Sequence, residues 1–83
     1  MNIYVGNLDY GVDEQQLTEI FEAHGAVSES KIITDKYSGR SKGFGFVTME
    51  NQEEAENAIR ELNGMTLENR EITVNEARPR NNN

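Results

Sequence analysis

The chain predicts an α+β fold of order βαββαβ, a four-stranded antiparallel sheet with two helices on one face. Two observations carry this. Residues 13–24 and 51–63 set apolar side chains at helical spacing, each opening on a capping pattern and closing on a glycine. Four shorter stretches, 2–7, 27–34, 43–49 and 70–76, alternate as strands around them. Two split βαβ units with right-handed crossovers put both helices on the same side, so one sheet face is covered and the other is bare.

The first strand rests on the β-branched Ile3 and Val5, with Tyr4 between them pointing the other way. Asp13 is placed to cap the first helix, with Gln16 three residues on at capping-box spacing. Leu17, Ile20, Phe21 and His24 form its inner stripe, and Gly25 supplies the stop. The second strand alternates weakly and leads into "DKYSGRS", a polar loop. Asn51 and Glu54 repeat the capping pattern before a stripe of Ala55, Ala58, Ile59 and Leu62, and Gly64 ends that helix. Ile72 and Val74 mark the last strand, and by parity Thr73 and Asn75 lie with Tyr4 on the bare face. From Arg78 the sequence "RPRNNN" reads as a tail, giving a domain over 1–78 and a flexible polar tail over 79–83.

Parity leaves the third strand open. In "KGFGFVTM", Lys42 to Met49, one face takes Phe44, Phe46 and Thr48 and the other Gly45, Val47 and Met49. Alternation alone does not say which face is inside.

Composition narrows the function. Eighty-three residues suit one small domain. The absence of cysteine excludes disulfides and thiolate metal sites. The start is too short and polar for a signal peptide and no apolar run approaches a membrane span, so a cytoplasmic protein without a membrane partner is expected. The net charge of −7 argues against a nucleic-acid partner until its distribution is followed. The two helical segments hold eight acids (Asp13, Glu14, Glu19, Glu22, Glu53, Glu54, Glu56, Glu61) against one base, Arg60. The rest of the chain is balanced, and Lys31, Lys36, Arg40 and Lys42 outnumber Asp35 within 31–42.

With these residues in place, the chain resembles an RNA recognition motif domain as far as about Arg78. "IYVGNL" is similar to the family's six-residue motif on the first strand, and "KGFGFVTM" to its eight-residue motif on the third: basic, Gly, aromatic, Gly, aromatic, aliphatic. One position departs, because Met49 stands where the family usually has an aromatic; by parity it faces the core. The resemblance implies the ferredoxin-like sandwich and decides the third strand. Tyr4, Phe44 and Phe46 then become a platform that stacks bases, and Lys42 a phosphate contact. Gly43 and Gly45 keep the neighbourhood slim for a sugar–phosphate chain. Lys31, Ile33, Thr73 and Asn75 align with bare-face positions of the outer strands, and Lys36 and Arg40 sit in the loop before the third strand. Asn7 either meets a base edge or caps a turn, and Arg78 and Arg80 extend the site. The implied function is single-stranded RNA binding by a monomer, with single-stranded DNA as a weaker ligand and no cofactor or small-molecule substrate. A chain of one such motif looks like the stand-alone single-motif proteins of bacteria, or like an excised fragment of something longer.

Other signals are set aside. "GFGFVT" lacks the third glycine of a phosphate loop and lies inside a strand. His24 has no partners at metal or triad spacing, so neither a metal site nor a catalytic set is expected, and no enzyme. The loop "NLDYGV" lacks the basic phosphate cradle of acylphosphatase-like folds, and Tyr10 in it is expected to pack. The rival function is a protein-binding module that uses the acidic helical face.

Overall fold

The structure, a computed structural model, describes residues 1–39 and 41–77, with Ser41 described by its backbone alone. The predicted order is present, with a small hairpin added before the last strand. The elements are β1 (Asn2–Gly6), α1 (Glu14–Glu22), β2 (Glu29–Thr34), β3 (Ser41–Thr48), α2 (Gln52–Leu62), β4 (Thr66–Leu67), β5 (Arg70–Glu71) and β6 (Thr73–Glu76). The main sheet runs β2-β3-β1-β6 with every pairing antiparallel, so β3 and β1 are central.

The first helix starts as its sequence requires. The Asp13 carboxylate accepts the Gln16 N–H at 2.8 Å and the Gln16 side chain accepts the Asp13 N–H at 3.3 Å. This reciprocal box satisfies two of the orphan donors at the helix start. Its C-cap is Ala23, before the expected stop at Gly25. The second helix keeps only half of its expected box. Asn51 Oδ1 accepts the Glu54 N–H at 3.0 Å, but the Glu54 carboxylate turns to the Ala26 N–H at 3.2 Å. A contact to the β2 approach has replaced the local one.

The segment predicted as one strand over 70–76 divides. Glu68 and Asn69 both adopt positive φ, 52° and 71°, the paired left-handed geometry of a two-residue hairpin turn. They join β4 to β5, and β6 then begins at Thr73. Strand β3 begins two residues earlier than predicted, and β2 two residues later, at Glu29.

The core lies between the sheet and the helices. Ile3, Val5, Val47, Met49, Ile72 and Val74 meet Leu17 and Phe21 of α1 and Ala55, Ala58 and Leu62 of α2, with Leu8 and Val12 closing one end. Met49 is fully buried, so an unbranched thioether fills the place of a ring without reaching the other face. No helix among the described residues is long and apolar enough to cross a membrane.

Both outward edges of the sheet are capped by side chains. On β2 the Ile32 N–H is held by Glu14 Oε2 at 3.1 Å, and on β6 the Val74 N–H by Asn63 Oδ1 at 3.0 Å. Each removes a donor that would otherwise template a further strand.

Candidate nucleic-acid interface

The open parity question on β3 is settled by burial. Val47 and Met49 are fully buried, Phe44 is half-buried, and Phe46 is 37% exposed. The phenylalanines therefore stand on the bare face, with Tyr4. Registry aligns the site: Tyr4 stands opposite Phe46 on β3 and Asn75 on β6, and Phe46 opposite Lys31 on β2. One row thus crosses all four strands as Lys31, Phe46, Tyr4, Asn75.

The three rings form a triangle. Centroids are 6.1 Å apart for Tyr4 and Phe44, 5.9 Å for Tyr4 and Phe46, and 6.1 Å for Phe44 and Phe46. The Tyr4 and Phe44 planes differ by 32°, while Phe46 meets Tyr4 at 63° and Phe44 at 88°. Edge contacts of this kind brace each ring while leaving ring surface toward solvent.

Glycines shape the platform, though differently from the expectation for Gly43 and Gly45. A Cβ on Gly45 would land on the Lys31 carbonyl oxygen of β2, so its bareness serves strand packing. Gly43 has a φ of +86°, which favours glycine, and its carbonyl accepts the Leu8 N–H at 2.8 Å. At Gly6 a Cβ would meet the Tyr4 ring, at 2.8 Å from Cε2. The Tyr4 ring lies back along its own strand because Gly6 leaves room for it.

The polar residues fall around this centre. Lys31, Thr73 and Asn75 are exposed on the bare face as expected, Ile33 is half-buried, and Lys42 is exposed beside Gly43. In the loop before β3, Asp35 Oδ1 accepts the N–H groups of Tyr37 at 2.7 Å and Ser38 at 3.1 Å, and the Asp35 carbonyl accepts the Gly39 N–H at 2.9 Å. Those bonds from Tyr37 and Ser38, with the nearby Lys42 charge, hold the Asp35 carboxyl below its ordinary 3.8. The turn presents Lys36 and a fully exposed Tyr37. Arg40, Arg78 and Arg80, three of the expected basic contacts, and the tail over 79–83 lie outside the described residues.

Asn7 resolves toward its structural role. It sits at φ 57°, its amide donates to the Glu71 carbonyl at 2.7 Å, and its side-chain oxygen accepts from Arg70 Nη1 at 3.4 Å. Tyr10 corrects the expectation that it packs. It is 64% exposed, with the Arg70 guanidinium 5.5 Å from its ring centroid. Sequence reading missed this pair because residues 10 and 70 meet only through the β4–β5 hairpin. Among the described residues no cluster of His, Cys, Asp or Glu is arranged to hold a metal ion.

This constellation is matched by comparison with known proteins. The family model described as "RNA recognition motif" matches residues 3–73. The chain belongs to the RNA recognition motif family.

Relatives agree. RNA-binding protein CP29B, chloroplastic, of Arabidopsis thaliana is 50% identical over 78 residues, covering 94% of this chain and 27% of the relative. The crystal structure of RNA binding protein PG1 is 48% identical with a TM-score of 0.93, covering 98% of both chains. The Sxl-lethal protein/RNA complex is 31% identical with a TM-score of 0.91, covering 98% of this chain and 48% of that one. The chain spans about a quarter of the length of the curated relatives it matches. This RNA recognition motif carries its aromatic residues on the uncovered sheet face, Phe46 exposed and Tyr4 and Phe44 half-buried, and the helical face is not favoured as the working surface. Family and relatives point to binding rather than catalysis. The expected cytoplasmic location is corrected by the same comparison. Several relatives at about 50% identity carry chloroplast names and point to that organelle instead; a polar start to the sequence could not carry the assignment.

Proposed function

We propose that this RNA recognition motif, residues 1–78 with 79–83 as its tail, binds single-stranded RNA as a monomer across the Lys31–Phe46–Tyr4–Asn75 row. The observation that carries the reading is the ring triangle on the uncovered face of the two central strands. A base offers a flat π-face whatever its identity, so Tyr4, Phe44 and Phe46 stack successive bases at roughly 1–3 kcal/mol each. Lys31 and Asn75 flank the row at its two ends and Thr73 lies on β6, where they donate to or accept from base edges and 2′-hydroxyls. Lys42 contacts phosphate, with Arg40 and Arg78 assigned the same role from sequence. Asn7 holds the β1 exit in place through Glu71 and Arg70 and contributes by positioning. Single-stranded DNA binds more weakly, because stacking does not need the 2′-hydroxyl.

The test is a titration of fluorescent single-stranded RNA. Phe46→Ala and Phe44→Ala each weaken binding by roughly 1–3 kcal/mol while thermal unfolding shifts little, since neither ring fills the core. Duplex RNA of the same sequence competes poorly. Equal competition by duplex would exclude stacking as the mechanism.

A further inference from the structure

Beyond the platform, the end of the sheet where β1 leaves for α1 carries a second exposed ring. Tyr10 is 64% exposed and has the Arg70 guanidinium over it at 5.5 Å. The ring stands beside the start of β3: its Cε1 lies 3.5 Å from where a Cβ on Gly43 would stand, and Gly43 directly precedes Phe44. It also borders an open hollow of about 540 Å³ shared with Val12, Ile32 and Thr34.

Arg70 brings a positive charge to the ring. Among the described residues the guanidinium meets Asn7 Oδ1 and the Tyr10 ring, both neutral groups, so neither cancels its charge. Acids also stand nearby, two of them held by hydrogen bonds to neutral groups. Asp9 Oδ1 accepts the Gly11 N–H at 2.8 Å and Glu68 Oε1 accepts from Gln16 Nε2 at 3.2 Å. At the hollow's other wall, Asp13 caps Gln16 and Glu14 holds Ile32.

A flat ring with a cation beside it has the two parts that recognise a nucleotide: a face for the base and a charge for its phosphate. We propose that Tyr10 and Arg70 form an accessory nucleotide site, which takes one further nucleotide of the single strand as it passes the Phe44 end of the platform. This rests on the single-stranded RNA reading above. The base stacks on Tyr10 and the adjoining phosphate meets Arg70.

Oligouridylates of about three and about ten nucleotides separate this site from the platform, which takes two or three bases. In the full chain, the gain in affinity from the shorter to the longer oligomer shrinks at least about fivefold in Tyr10→Ala, the low end of base stacking. Tyr10→Phe, which keeps the ring, retains the gain. Arg70→Gln lowers the salt slope with the longer oligomer by about 0.7, one phosphate contact. An unchanged length gain in a folded Tyr10→Ala protein, checked by circular dichroism, would overturn the accessory site. Loss of binding at both lengths in Phe44→Ala supports the platform independently. A wild-type protein that bound neither oligomer would sink the RNA reading and this site together.

Discussion

At the scale of single residues, two of the three glycines of the sheet motifs, Gly6 and Gly45, do different work from each other. Gly6 leaves space for the Tyr4 ring, a flexible neighbour that can swing aside, whereas Gly45 faces the β2 backbone, which cannot. Gly6→Ala is therefore expected to keep the fold and weaken RNA binding severalfold by displacing Tyr4. Gly45→Ala is expected to destabilise the domain by roughly 1–3 kcal/mol through overpacking at the β2–β3 pairing. Thermal unfolding and RNA titration of the two variants side by side check this. A Gly6→Ala protein with full affinity would show that the Tyr4 ring position is unimportant. The motif glycines were legible as small residues near the site, but their roles were not. Which atoms a missing Cβ would strike depends on a ring folding back and on a neighbouring strand.

Among the elements, the loop before β3 and the two sheet edges make separate predictions. Asp35 has its carboxyl held below 3.8 by the Tyr37 and Ser38 N–H groups. The sign follows from linkage: a depressed folded value contributes loop order that is present above the unfolded value and lost as pH falls through the folded one. Asp35 is expected to titrate below pH 3.8, with the Tyr37 and Ser38 amide signals shifting in the same window. An NMR titration that placed the midpoint at or above the ordinary value would remove the turn. At the edges, Glu14→Ala and Asn63→Ala each free one outward N–H, at Ile32 and Val74. Each is expected to cost about 1 kcal/mol. Native-state hydrogen exchange should quicken at the freed amide, and a doubly substituted protein should associate more readily. Unaltered exchange at both amides would mean that the caps contribute nothing.

For the whole molecule, the question is how a chain of net charge −7 holds a polyanion. The domain is 19 Å in its thinnest dimension, and the eight helical acids belong to the layer opposite the rings. A Debye length of about 8 Å at physiological salt screens most of their repulsion across that distance. Converting Glu53, Glu54 and Glu56 together to Gln is expected to raise RNA affinity only slightly. Lys42→Ala and Arg40→Ala should lower both affinity and its salt dependence. With about two to four phosphate contacts, log affinity against log salt should slope by roughly −1.5 to −3. A large effect from the glutamates and none from the two basic residues would move the working surface to the helices.

The order of the main elements, both N-caps and the charge segregation were determined by the sequence alone, because periodicity and capping spacing are local patterns. Parity alone did not place Phe44 and Phe46; the family resemblance did, and burial of Val47 and Met49 agrees with it. Only the tertiary structure decided what local pattern does not encode. It turned Glu54 from its own helix cap to Ala26, divided the last predicted strand at the Glu68–Asn69 turn, and set Asn7 against Glu71. It also brought Arg70 over Tyr10. Apart from that turn, each of these joins residues far apart in the chain or exchanges a local bond for a distant one. A side chain's final partner is set by which elements pack beside it, and that competition is resolved only when the chain has folded.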